Sequence, residues 1–172
     1  MLKISGAFLC IIGFSSFGFL KVSGWKRDLQ HLKCFLLLFQ RIKSRIFYQK
    51  ETLEESCSWI GEKEEGEYGD LLRLIGKRAR EERQKEFSVI WREEMELWCK
   101  KNLQDASIRK ILLQFPEYAR EADEELQTNL FSFYIEELNL EKAKLEHQIQ
   151  EKQKPVMAIS LIGGVMISIL LI

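Results

Sequence analysis

Neither sign of charge dominates this chain. Lys and Arg number 26 and so do Asp and Glu, so no bulk attraction to nucleic acid is implied. Histidine is almost missing, with only His31 and His147 present. Hydrolytic catalysis needs a nucleophile beside a base, or paired acids in contrasting environments, and the chain spells neither. Its acids run instead in helix-surface clusters such as Glu93-Glu94 and Glu136-Glu137. Cys10, Cys34, Cys57 and Cys99 are too widely spaced to read as a disulfide framework. His31 and Cys34 share a helical face, but no C-x-x-C or H-x-x-x-H pair completes a four-ligand zinc set. The acidic stretch Gly61–Gly69 lacks Gly-Lys-Ser/Thr and the Asp-rich EF-hand order, so it is neither a P-loop nor a calcium loop. No segment alternates apolar and polar residues over a strand length. These absences predict a protein that is not an enzyme, with no cofactor, no metal and no nucleic-acid partner.

What is present begins with two apolar ends. Ile4–Leu20 is largely apolar and is followed by Lys21, Lys26 and Arg27. Such a segment is a signal peptide or a membrane helix, and the bulky Phe17-Gly18-Phe19-Leu20 without a small-x-small cleavage site favours a retained membrane helix. Val156–Ile172 is uncharged and preceded by Lys152 and Lys154; its 17 residues sit at the short limit for spanning a bilayer. The expected domains are therefore an N-terminal membrane helix over 1–20, a helical bundle with a stalk over 21–155, and a C-terminal membrane helix over 156–172. Basic flanks on the inner side of both spans place the middle in the cytoplasm. Ser160, Gly164 and Ser168 recur every four residues, forming a small-residue groove for which Gly6 and Gly13 offer a matching surface on the first span.

Between the ends the pattern is helical throughout, and the expected fold is all-α, a six-helix cytoplasmic bundle between two transmembrane helices. Trp25, Leu29, Leu32, Leu36 and Phe39 follow helical spacing, widened by Phe35, Leu38, Ile42 and Ile46. Thr52-Leu53-Glu54-Glu55 has the form of a capping box, and the helix it opens is expected to stop at Gly61. Asp70 is expected to cap the next helix and Asp105 a later one, which Pro116 should end. The last helix should start at Asp123, carry a wide apolar face of Leu126, Leu130, Phe131, Phe133, Tyr134, Ile135 and Leu138, and continue as a polar stalk to Lys154.

Local charge is less even than the total. Residues 21–50 hold eight bases against Asp28, and residues 117–151 hold ten acids against three bases, a net +7 against a net −7. Two readings fit: solvated helix faces, or two helices lying side by side. A protein without catalytic groups acts through what it binds, and the exposed basic positions Arg41, Lys43 and Arg45 are the candidate partner contacts.

Several local patterns resemble the stage III sporulation protein AB family of endospore-forming bacteria. Gly6-Ala7-Phe8-Leu9 and Gly18-Phe19 resemble the opening membrane helix of that family. Arg45-Ile46-Phe47-Tyr48-Gln49-Lys50-Glu51-Thr52-Leu53-Glu54-Glu55 resembles its Glu-Ile-x-Tyr-Gly-x-Thr-Pro-Leu-x-Glu, with Arg45 in place of the usual acid and no glycine after the tyrosine. Leu112-Leu113-Gln114-Phe115 resembles its Leu-Leu-x-Phe, and Asp123 and Gln127 match its Ser-Asp-x-x-x-Gln. The resemblance implies a membrane-anchored component of the channel apparatus between mother cell and forespore, on the mother-cell side of the outer forespore membrane. It also implies a secretion-like platform that serves as adaptor for a secretion-type ATPase of the same operon, beside other channel proteins. A generic tail-anchored helical scaffold is the alternative.

Overall fold

The computed structural model describes residues 2–119 and 124–171, with the backbone alone for residues 2–12, 14, 15, 17, 124, 168, 170 and 171. Among the described residues there are six α-helices and no strand: α1 (Leu2–Gln49), α2 (Leu53–Lys63), α3 (Glu67–Glu81), α4 (Phe87–Asn102), α5 (Ala106–Ala119) and α6 (Glu124–Leu171). The apolar ends are not separate helices. Nothing in Lys21-Val22-Ser23-Gly24 breaks the backbone ladder, so residues 2–20 and the basic segment after them form one helix of 48 residues. At the other end Pro155 lies inside α6, also of 48 residues. Among the described residues no helix is long and apolar enough to cross a membrane. The N-cap expected at Asp123 lies outside the described residues.

The chain divides into two compact units, residues 1–29 with 143–172, and residues 30–142. In the larger unit every helix contributes to a single core: Leu32, Phe35, Phe39 and Ile42 from α1, Ile60 from α2, Leu72 and Ile75 from α3, Ile90, Trp91 and Met95 from α4, Ile108, Leu112 and Phe115 from α5, and Phe131, Tyr134 and Leu138 from α6. Aromatic rings tie the layers together. Phe39 lies 4.4 Å from Phe115 and 5.2 Å from Tyr134, and Phe115 lies 4.7 Å from Trp91 and 5.5 Å from Phe131. In this unit α1 meets α6 through aromatic packing, Phe39 with Tyr134 and Phe47 with Phe131. The charge imbalance is therefore not needed to explain that neighbourhood.

Several helix ends follow the expected chemistry. Thr52 Oγ1 accepts from the Glu55 amide at 3.2 Å while the Thr52 amide donates to the Glu55 carboxylate at 2.9 Å, a complete capping box. Asp105 Oδ1 accepts from the amides of Ser107 and Ile108, which satisfies two free donors at the start of α5. Lys50 takes a left-handed φ of 56° to end α1, and the Glu51 amide reaches back to the Arg45 carbonyl. The lysine thus adopts the conformation that a glycine would adopt at lower cost.

Three boundaries differ from expectation. Gly61 does not stop α2, which runs on to Lys63; the backbone of α3 passes close to it, and a β-carbon there would sit 2.8 Å from Arg73 Cα. The expected loop shrinks to Glu64–Gly66; Gly66, at φ 84°, precedes α3, and Asp70 lies in the first turn, where it pairs with Arg73 at 2.9 Å. Pro116 does not end α5, which continues to Ala119. Proline lacks the N–H that would serve the carbonyl of Leu112, four residues back, and the Trp91 indole donates to that carbonyl instead, at 2.8 Å. Tyr134 OH donates to the neighbouring Ile111 carbonyl at 3.2 Å, and Gln127 Nε2 caps the Ala119 carbonyl at 2.6 Å.

Candidate interaction surfaces

The basic face of α1 is largely engaged within the chain. Arg45 was expected on the surface, but it is buried: its guanidinium pairs with the Glu51 carboxylate through Nε and Nη2 and stacks on the Trp59 ring, 3.7 Å from the ring centre. A planar cation with a bidentate acid on its edge and an indole on its face serves as a packing group, so Arg45 is corrected from partner contact to structural residue. Arg41 pairs with Glu64, yet its side chain remains 57% exposed. Lys43 donates to Ser132 Oγ at 2.6 Å.

A second polar cluster joins α3 to α4. Arg78 donates to Glu82 at 2.6 Å, to Glu93 at 2.8 Å and to Glu94 at 2.5 Å, and Lys85 donates to Glu93 at 3.0 Å. Hydrogen bonds from Arg78, with smaller help from Lys85, hold the Glu82 carboxyl down at about 2, against an ordinary value of 4.5. Those from Lys85 and then Arg78 lower Glu93. A carboxyl more acidic in the folded state contributes stability that is present above its unfolded value and lost as pH falls towards its folded one. Wild-type protein is therefore expected to lose thermal stability between about pH 4.5 and pH 2. Arg78→Met should flatten that part of the melting-temperature profile; an unchanged slope would remove the cluster from the account.

Beside this cluster runs an open groove of about 610 Å³ in which Val89, Leu97 and Leu113 meet Arg78, Arg92 and Glu94. Leu97 is 64% exposed, although its sequence spacing groups it with the apolar side of α4. The groove holds no thiol, imidazole or hydroxyl nucleophile. Cys57 and Cys99 are poor candidates elsewhere: burial keeps the Cys57 thiol well above the usual range and pushes Cys99 up to about 12. Buried His31 has its Nδ1 2.7 Å from the Tyr68 hydroxyl, and its ring meets the edge of Trp98 at 5.0 Å. Among the described residues no group of three or more His, Cys, Asp or Glu is arranged to hold a metal ion.

In the smaller unit the close helix approach is made by Gly18, where an added β-carbon would sit 2.8 Å from Ser160 Cβ and 3.5 Å from the Val156 carbonyl oxygen. Gly13, expected to supply that surface, has nothing within 4 Å of such a carbon. Gly164 is buried and Ser160 half-buried, while Gly6 and Ser168 are described by their backbone alone. Gly18 was legible as a small residue, but sequence spacing does not say which turn of one helix meets which turn of the other.

The model of the stage III sporulation protein AB family matches residues 3–172. The chain belongs to that family. No curated protein and no solved structure matches it. As a stage III sporulation protein AB family member it has a role in sporulation. The structure also shows what the segments that carried the resemblance do. Leu112 and Phe115 of the Leu-Leu-x-Phe segment are fully buried, Gln127 caps α5, and the segment from Arg45 to Glu55 closes α1 and opens α2. In this sporulation protein these described segments are parts of the scaffold.

Proposed function

We propose that this protein is a non-enzymatic, membrane-anchored component of the channel apparatus between mother cell and forespore, seated on the mother-cell side of the outer forespore membrane, where its helical unit is an adaptor for the secretion-type ATPase of the same operon. The observation that carries the reading is the family match, which runs through both apolar ends and the helical middle together. The end of α6 supports an anchor: Met157, Ile159, Leu161, Ile162, Met166 and Ile169 are all exposed, and an apolar surface of this kind calls for lipid or another helix to cover it. The basic flanks of both ends support two spans with a cytoplasmic middle. Arg41 is the residue of the basic face best placed for a partner, since it keeps its charge at the surface beside Glu64.

The test uses membranes from sporulating cells. Full-length protein should resist extraction by alkaline carbonate and retain the ATPase in a pull-down that weakens as salt rises, because exposed charges are screened over about 8 Å at physiological ionic strength. Arg41→Glu should lower retention several-fold. Release by carbonate would overturn the anchor. Failure to hold the ATPase at low salt would overturn the adaptor and leave a helical scaffold.

A further inference from the structure

His31 and Cys34 stand one turn apart on α1, too few for a metal set, and the Tyr68 hydroxyl of α3 bonds to both. Its oxygen lies 2.7 Å from His31 Nδ1 and is hydrogen-bonded to the Cys34 thiol. Glu67 Oε1 lies 3.8 Å from the same imidazole nitrogen. Thiol, hydroxyl, imidazole and carboxylate thus form a row that ties α1 to α3. Cys34 and Tyr68 are half-buried, whereas His31 is buried. A small solute therefore reaches the sulfur and not the imidazole. Cys57 and Cys99, by contrast, are completely buried.

A nucleophile, a shared hydroxyl and a base in contact let a proton move without leaving the protein. In the tautomer with Nδ1 free, the Cys34 S–H donates to the Tyr68 oxygen while the Tyr68 O–H donates to His31 Nδ1. Passing both protons along the row leaves a thiolate, an intact phenol and an imidazolium beside Glu67. The thiolate is the reactive form of cysteine. Burial first, and then the bond to Cys34, holds the Tyr68 hydroxyl well above the usual phenol range, so it keeps a proton to give. The Trp98 indole packs against this cluster, edge-on to His31 at 5.0 Å and 5.8 Å from the Tyr68 ring. Its buried Nε1 has no hydrogen-bond partner among the described residues, so the cluster has a donor in excess of its acceptors. Gain of an oxygen atom would bring an acceptor to it.

We propose that Cys34 is an oxidation site, at which the Cys34–Tyr68–His31 row reduces a hydroperoxide and leaves a sulfenic acid on the protein. The thiolate sulfur attacks one peroxide oxygen, and the S–O bond forms as the O–O bond breaks. The departing hydroxide takes the Tyr68 proton, His31 returns its own to Tyr68, and water leaves. Sulfur loses two electrons and the peroxide gains them, so one thiol and one hydrogen peroxide give one sulfenic acid and one water. The event is a single modification that a thiol reverses, not turnover. It does not depend on the membrane anchor or on the ATPase reading.

The experiment exposes the full-length protein in zwitterionic nanodiscs to hydrogen peroxide with dimedone, which traps sulfenic acid, and reads each cysteine by peptide mass spectrometry. Dimedone is expected on Cys34, with Cys57 and Cys99 unlabelled. Alkylation by iodoacetamide, measured in parallel, separates the row from simple exposure: both reagents meet the thiolate, but iodide leaves without a proton. Tyr68→Phe should therefore slow the peroxide reaction at Cys34 at least about tenfold more than the alkylation, a modest share of what a positioned proton donor supplies. If Tyr68→Phe melts early, wild-type protein unfolded in urea serves instead, and its ratio of peroxide to alkylation rate at Cys34 should fall by about the same factor. Absence of dimedone from Cys34, equal labelling of Cys57 and Cys99 in the folded protein, or a ratio that neither the variant nor urea changes would overturn the proposal.

Discussion

Trp91→Ala is expected to remove roughly 3–5 kcal/mol from the larger helical unit, the usual range for deleting a fully buried large aromatic. Trp91 is completely buried, and its ring lies 4.7 Å from Phe115, 5.9 Å from Phe39 and 6.0 Å from Phe87, so its loss opens a cavity bordered by α1, α4 and α5. The alanine also strands the Leu112 carbonyl, which has no backbone donor because Pro116 stands four residues on. Trp91→Phe separates the two effects. It keeps most of the ring volume and should still cost about 1–3 kcal/mol, the penalty of leaving a buried acceptor unsatisfied. Against a typical domain stability of about 5–15 kcal/mol, the alanine variant should be marginal and the phenylalanine variant folded. Denaturant melts followed by circular dichroism at 222 nm read both. If Trp91→Phe proves as stable as wild type, another donor serves Leu112 and the account of Pro116 is wrong.

Gly61→Val should be the most damaging small-to-large change in α2, costing about 3 kcal/mol or more, at the upper end of overpacking effects. The reason is what the new atoms would meet. A β-carbon on Gly61 runs into the backbone nitrogen of Arg73 and lies 2.8 Å from its Cα, and backbone cannot rotate away as a side chain can. Gly76 repeats the arrangement from the other helix, against Ser58, whose Cα would sit 2.9 Å from the added carbon. Gly61→Ala gains about 0.8–1 kcal/mol of helix propensity and loses more to the same clash, so it should destabilise mildly. The pair of variants is read by the same melts. Wild-type stability in Gly61→Val would mean that α2 and α3 are free to separate.

How much was legible in the sequence depended on how far away the deciding partner lies. The sequence alone determined the all-helical class, the capping box at Thr52 and Glu55, the Asp105 cap, and the buried stripe of Leu32, Phe35, Phe39 and Ile42. Periodicity and capping act over three or four residues, within reach of local reading. Only the tertiary structure decided that α5 passes through Pro116, since the indole that makes it tolerable lies 21 residues before the Leu112 carbonyl it serves. It placed Gly61 inside a helix, where the glycine admits the backbone of α3. It decided that Arg45 is buried, since charge gives no hint of an indole ring waiting at Trp59. And it divided the broad apolar face of α6 into a covered part and exposed positions such as Phe133 and Leu140. A helix several residues wide in apolar character contacts its neighbours over only part of that width, and where the neighbours lie is set by the packing of the whole unit.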